Sequence, residues 1–249
     1  LVNYNLPPVL QLVLVSLFGG VIAALFGFFV GASTLRLRGD YLAIITLAFG
    51  EIVKYIVQNL DFLGGATGLN NIPRIIDFSN SYFIVVISIV IIAMAMTSRK
   101  GKEILSIRED EIAAENIGMR LSRIKLYGFA FSAFFAGVGG SLFAHNIGIL
   151  KPDKFGFLFS IEILVMVVLG GLGSITGAII SAILLTSLNE VLRDVSQFRY
   201  LIYAVILIAL MIFRPTGIFG TKEFTFAGTK RRLNRIRNYR NNRNGNKKS

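Results

Sequence analysis

Apolar residues fall in long unbroken runs along this chain, not in alternation and not in narrow stripes. The first run, Val9 to Thr34, is long enough as a helix to cross the ~30 Å hydrocarbon core of a bilayer, and Asn5 with Pro7 and Pro8 suits a helix start. The second extends from about Gly39 to Asn59, the third from Tyr82 to Thr97, and the fourth from about Ile124 to Asn146. Phe157 to Asn189 forms one apolar stretch broken at Gly170–Ser174. It reads as two short spans, or a re-entrant pair, meeting at the glycines. A last run, Tyr200 to Phe213, is stopped by Pro215. A single such run also fits the buried core helix of a soluble domain. Seven runs leave no amphipathic helices to cover a core. The pattern therefore predicts an all-α, polytopic integral membrane protein with about seven transmembrane helices.

Composition agrees. The 249 residues are 54% hydrophobic, and the charged share of 16% falls below the roughly 25% of average chains. Cysteine is absent, which excludes disulfides, thiolate metal sites and cysteine nucleophiles. A single histidine, His145, excludes a histidine metal cluster. With no Ser–His pattern either, the chain reads as a non-enzyme. The run Gly171 to Gly177 (GLGSITG) lacks the Lys-Ser/Thr ending of a phosphate loop. No cofactor is expected in this chain, and any ATP must bind to a partner. The first residue, Leu1, is not a methionine, and no basic segment precedes the first apolar run, so a secretory signal is not expected.

Positive charge orients the spans. Arg99, Lys100, Lys102, Arg108, Arg120, Arg123 and Lys125 crowd one loop, which places that loop in the cytoplasm. Alternation then puts Arg36, Arg38 and the tail from Arg214 inside. Arg74, Lys151, Lys154, Arg193 and Arg199 fall outside. Leu1 starts outside and Ser249 ends inside. The net charge of +12 therefore does not imply nucleic acid. Its densest part, Lys230 to Lys248, interleaves arginine with asparagine and reads as a disordered cytoplasmic tail that anchors topology or attracts anionic lipid. This divides the chain into a membrane domain over 1–220, with a cytoplasmic loop at about 99–122, and a basic tail over 221–249.

Small residues mark close helix packing. Ala23, Gly27 and Gly31 recur every four residues, as do Gly173, Gly177 and Ser181, and Gly137, Gly139 and Gly140 form a third patch. Charges within spans are few. Glu51 and Lys54 stand three apart on one helix face, as a polar route for a zwitterionic solute or a structural ion pair. Glu162, Glu190 and His145 lie near outer ends, where snorkelling to water is the simpler reading. In the loop, Ile104, Ile107, Ile112 and Ile117 fall near helical spacing beside Arg108, Glu109, Asp110, Glu111 and Glu115, with Gly118 as a stop. This predicts one short amphipathic helix, docked on a cytoplasmic protein or laid on the membrane surface. The acidic cluster disfavours anionic headgroups.

Five segments resemble branched-chain amino acid ABC permeases, specifically the M-type subunit. They are Leu35–Ile52 (LRLRGDYLAIITLAFGEI), Ser106–Gly118 (SIREDEIAAENIG), Phe134–Gly140 (FFAGVGG), Ser160–Ser174 (SIEILVMVVLGGLGS) and Phe213–Gly220 (FRPTGIFG), in the family's order. The resemblance implies one half of the membrane channel of an ATP-driven importer in the cell membrane. The implied partners are a second, H-type permease, two cytoplasmic ATP-binding subunits and an extracytoplasmic solute-binding protein. It also implies coupling to an ATPase through Ile107, Arg108, Glu109, Asp110, Glu111, Ala113, Ala114 and Gly118. Translocation-pathway candidates are Glu51, Lys54, Gly64, Gly65, Thr67, Gly68 and Glu162. Two departures stand out: Ile112 replaces the family's glutamate ahead of Ala113, and Leu63 replaces a common threonine. Family members carry further spans ahead of the first one here, so the chain looks shortened at its N-terminus. Alternatives are a permease for urea or short amides, or a proton-coupled carrier using Glu51 or Glu162.

Overall fold

The computed structural model describes residues 7–37 and 39–191, together with 202, 204, 205 and 208. The last apolar run and the basic tail lie outside the described residues, apart from those four helical positions. Eight α-helices account for most of the described chain: α1 (Pro8–Thr34), α2 (Asp40–Asn59), α3 (Phe78–Thr97), α4 (Arg99–Glu109), α5 (Glu111–Asn116), α6 (Leu121–Ile147), α7 (Phe157–Gly170) and α8 (Ile175–Val191). Among the described residues the only β pairing is an isolated bridge between Leu69 and Leu150. Three helices, α1, α3 and α6, are long and apolar enough to cross a membrane. The chain divides into two compact units, residues 1–159 and 160–249.

The first unit is organised around α1 and α6. Buried positions on α1 are Leu12, Ser16, Gly20, Gly27, Gly31 and Thr34, which form one seam along the helix. Gly20 faces Phe134, Gly27 faces Ala133, and Gly31 faces Leu126 and Phe129, so the two helices run antiparallel. The approach is close. A Cβ added to Gly27 would stand 2.5 Å from that of Ala133, and one added to Gly137 would stand 2.5 Å from that of Ala23. Backbones meet this closely only where side chains are absent, which is how helices associate in lipid. The opposite face of α1 presents Phe18, Leu25, Phe26 and Phe29, all exposed and apolar. Such a face is stable against acyl chains or another membrane helix, not against water.

At one end of this unit the loops strap together. Leu69 N–H donates to Leu150 O (3.0 Å) and Leu150 N–H returns the bond to Leu69 O (2.9 Å). Arg74 Nη2 donates to Ile147 O, and the ring of buried His145 bonds Pro73 O at 2.9 Å. His145 is thus held in protein rather than snorkelling outward.

Past its first turn, which belongs to the first unit, α7 forms a helical hairpin with α8 in the second unit, turning at Gly171 (φ 111°) and Gly173 (φ 93°). Ser174 caps α8 by accepting from Gly177 N–H at 3.1 Å. A Cβ on Gly177 would collide with Gly170 O, and Ser181 Oγ donates to Met166 O across the hairpin. Val165, Leu169 and Leu185 form its small core.

Three expectations change. The loop helix is two helices, because Asp110 is extended (φ −155°, ψ 108°) and its carboxylate caps the next helix instead of continuing the last. Gly173 belongs to the turn and not to a helix face shared with Gly177 and Ser181. A Cβ added to Gly139 or Gly140 would meet nothing within 4 Å, so Gly137 alone of that patch packs on α1.

Candidate functional site

Two places in the first unit carry the charged side chains. The first is on α2. Lys54 Nζ donates to Glu51 Oε2 at 2.9 Å, one helical turn apart. Glu51 Oε1 accepts from Phe157 N–H at 3.1 Å, so the carboxylate also satisfies an orphan donor in the first turn of α7. One turn further along α2, Gln58 Nε2 bonds Asp153 Oδ1. The ion pair therefore ties α2 to the segment 148–157. Lys54 also lines a pocket of 420 Å³ whose other walls are apolar, among them Val53, Val57, Leu63 and Leu150. Lys54 is the one charged side chain among the walls of this pocket, which include the ring of Phe155.

The glycine loop beside this pocket is built by backbone geometry. Gly64 (φ 86°), Gly65 (φ 55°) and Gly68 (φ 78°) all occupy the left-handed region. A Cβ on Gly68 would collide with Leu150 O, so a side chain there would open the strap between the loops. Thr67 Oγ1 donates to Gly64 O at 2.8 Å and closes the turn on itself. Glu162 lies in the second unit, where it accepts from Asn189 Nδ2 at 2.7 Å.

The second place is the α4–α5 elbow. Asp110 accepts from Ala113 N–H at 3.0 Å and starts α5. Gly118 (φ 84°) ends the turn beyond α5. Lys125 Nζ, in the first turns of α6, bonds Glu111 Oε1 at 2.6 Å and pins the elbow to that long helix. Arg108 pairs with its neighbour Glu109 at 2.7 Å. The candidates separate by direction: Ala114 is buried and Ile107 half-buried, while Arg108, Glu109 and Asp110 are exposed. Ile112 and Ile117 are 74% and 75% exposed and stand among these charges. Sequence reasoning treated Ile112 as a departure from a motif. The structure makes it, with Ile117, an apolar projection of the elbow. Lys125, Gln58, Asp153 and Phe157 were also missed as partners.

Among the described residues, no group of three or more His, Cys, Asp or Glu side chains could hold a metal ion. Long apolar helices, small-residue seams and a charged elbow define a multi-pass helical membrane protein. The chain belongs to the family described as "branched-chain amino acid transport system / permease component", whose model matches residues 1–214. It is 36% identical to the high-affinity branched-chain amino acid transport system permease protein LivM of Salmonella typhimurium, over 80% of this chain and 55% of that protein. It is 29% identical to the corresponding permease protein BraD of Pseudomonas aeruginosa, over 66% of this chain and 54% of that one. The LivH permease protein of Escherichia coli is 30% identical over 51% of this chain and 41% of its own length. The chain thus spans about half the length of the curated relatives it matches. No solved structure matches it.

Proposed function

We propose that this chain is a membrane permease subunit of an ATP-driven importer for branched-chain amino acids and forms half of the translocation pathway. The observation that carries the reading is family membership over residues 1–214, joined to an elbow pinned by Lys125–Glu111 and presenting Ile112 and Ile117. The subunit performs no covalent chemistry and holds no cofactor. ATP is bound by two cytoplasmic partner subunits, and the elbow docks on one of them. A second, H-type permease completes the pathway, and an extracytoplasmic binding protein delivers the solute. Likeness to both LivM and LivH proteins supports a paired arrangement.

In this reading α1, α2, α3, α6, α7, α8 and the run Tyr200–Phe213 make seven crossings. Residues 1–220 form the membrane domain and 221–249 a basic cytoplasmic tail. The strap of Leu69 to Leu150 and the elbow lie at opposite ends of α6, consistent with one outside and one inside. The inner end then carries Arg36, Lys100, Arg120, Arg123 and Lys125. Lys54 receives the solute carboxylate, and the apolar walls of its pocket receive the side chain. Glu51 and the glycine loop Gly64–Gly68 line the route, and Glu162 is a separate candidate within its own unit.

Reconstitution of the chain with its neighbouring gene products in vesicles tests this. Uptake of radiolabelled leucine is expected to require ATP and the binding protein. Uptake that persists without the ATPase and collapses with the proton gradient would overturn the reading.

A further inference from the structure

Two cavities adjoin where α1 ends and α6 begins. One is a polar cleft of 360 Å³ holding Arg36, Arg120, Arg123 and Lys125 against Glu111 and Glu115. Four cations face two carboxylates, and Glu111 is already held by Lys125. No side chain caps the N-terminus of α6 at Arg120, which leaves the positive end of a 27-residue helix on the same cleft. The other cavity is a groove of 570 Å³ between α3, α4 and α6, lined almost wholly by apolar side chains such as Ile92, Met96 and Phe135. The two share Leu35 and Lys125.

We propose that the cleft and groove together bind one anionic phospholipid, with its phosphate among the cations and one acyl chain in the groove. The dimensions agree. Along α6 the groove runs from Ile124 to Phe135, about 16 Å at the helical rise, against roughly 15 Å for one leaflet of the hydrocarbon core. The cleft sits where the apolar part of α1 gives way to Arg36 and that of α6 begins at Leu121, which is headgroup depth. A free phosphate would leave the groove unfilled, and an apolar helix would leave the surplus cations unmatched. A molecule with an anionic head and a hydrocarbon tail satisfies both. The site depends on the membrane placement of α1 and α6, not on the transported solute. In the proposed orientation it faces the cytoplasmic leaflet, and it touches both α4 and α5.

Native mass spectrometry of the purified permease complex in mild detergent tests the site. The probes are phosphatidylglycerol, phosphatidylcholine with the same chains, and glycerol 3-phosphate. Phosphatidylglycerol is expected to be retained roughly tenfold better than phosphatidylcholine. The Arg120→Ala/Arg123→Ala pair should lose about 25-fold of that binding, near fivefold per cation, while Arg120→Lys/Arg123→Lys keeps it. Ser132→Trp, which fills the groove, should lower phosphatidylglycerol retention on the order of tenfold with the cleft intact. Equal retention of the two lipids, displacement by glycerol 3-phosphate at matched concentration, or an unchanged Ser132→Trp would each overturn the proposal. Should the double alanine variant fail to fold, the wild-type comparison and Ser132→Trp still decide. Leucine uptake is a separate readout, so loss of the lipid site and failure of the transport reading are distinguishable.

Discussion

Lys125 and Glu111 meet at 2.6 Å across fourteen positions of chain and join the start of a membrane-length helix to a helix of six residues. The pair is part-exposed, so its removal should cost little folding stability, about 1 kcal/mol or less. Its value is positional. Glu111→Lys alone is expected to weaken association with the proposed ATPase partner, as is Lys125→Glu. The exchanged double variant should regain much of the association. Co-purification yield and ATPase stimulation measure this. Equal association in all four proteins would remove the elbow from the coupling route.

Gly27 and Gly139 offer a comparison at constant chemistry. A Cβ at Gly27 meets Ala133, whereas one at Gly139 meets nothing within 4 Å. Gly27→Ala should destabilise the α1–α6 pair by ~1–3 kcal/mol through overpacking. Gly139→Ala should be neutral, or stabilising through helix propensity. Thermal unfolding in detergent separates them.

Ser16 is buried on the same seam, and its Oγ finds no hydrogen-bond partner among the described residues. An unpaired buried hydroxyl costs roughly 1–3 kcal/mol. Ser16→Ala is therefore expected to leave the melting temperature unchanged or raise it. A marked fall would reveal a bond to this hydroxyl in the assembled complex.

Glu51 and Lys54 should be unequal partners in function. Lys54→Met leaves the Glu51 carboxylate with Phe157 N–H, so the link to α7 survives while the cationic wall of the pocket is lost. Transport should fall with little loss of folded protein. Glu51→Leu removes both bonds of the carboxylate and strands Lys54, and should lower folded yield as well. Yield from membranes and leucine uptake, read together, check the asymmetry.

The sequence made some of this visible and hid the rest for identifiable reasons. α1, α3 and α6 were legible because only scattered polar residues and almost no charges interrupt their apolar runs. The hairpin of α7 and α8 was legible from its glycines. Helical phase hid the difference between Gly137 and Gly139, since residues two apart point ~200° apart around the axis. The break at Asp110 was hidden by the isoleucine spacing, which suits one helix, although Asp110 has the residue type and position of an N-cap. The Glu51–Phe157 bond joins residues 106 positions apart, and no local pattern encodes it.

α7 has fourteen residues, about 21 Å of helix, with its first turn tied to Glu51 and its last closed by the Gly171–Gly173 turn. A hydrocarbon slab is ~30 Å thick, which leaves about 9 Å uncovered. If α7 crosses the bilayer as proposed, lipid beside this helix must pinch inward, or water must reach down to meet its end. Under the proposed transport role, either outcome would shorten the dry stretch that a charged solute crosses, and the membrane's shape would then lower the barrier alongside the protein's chemistry.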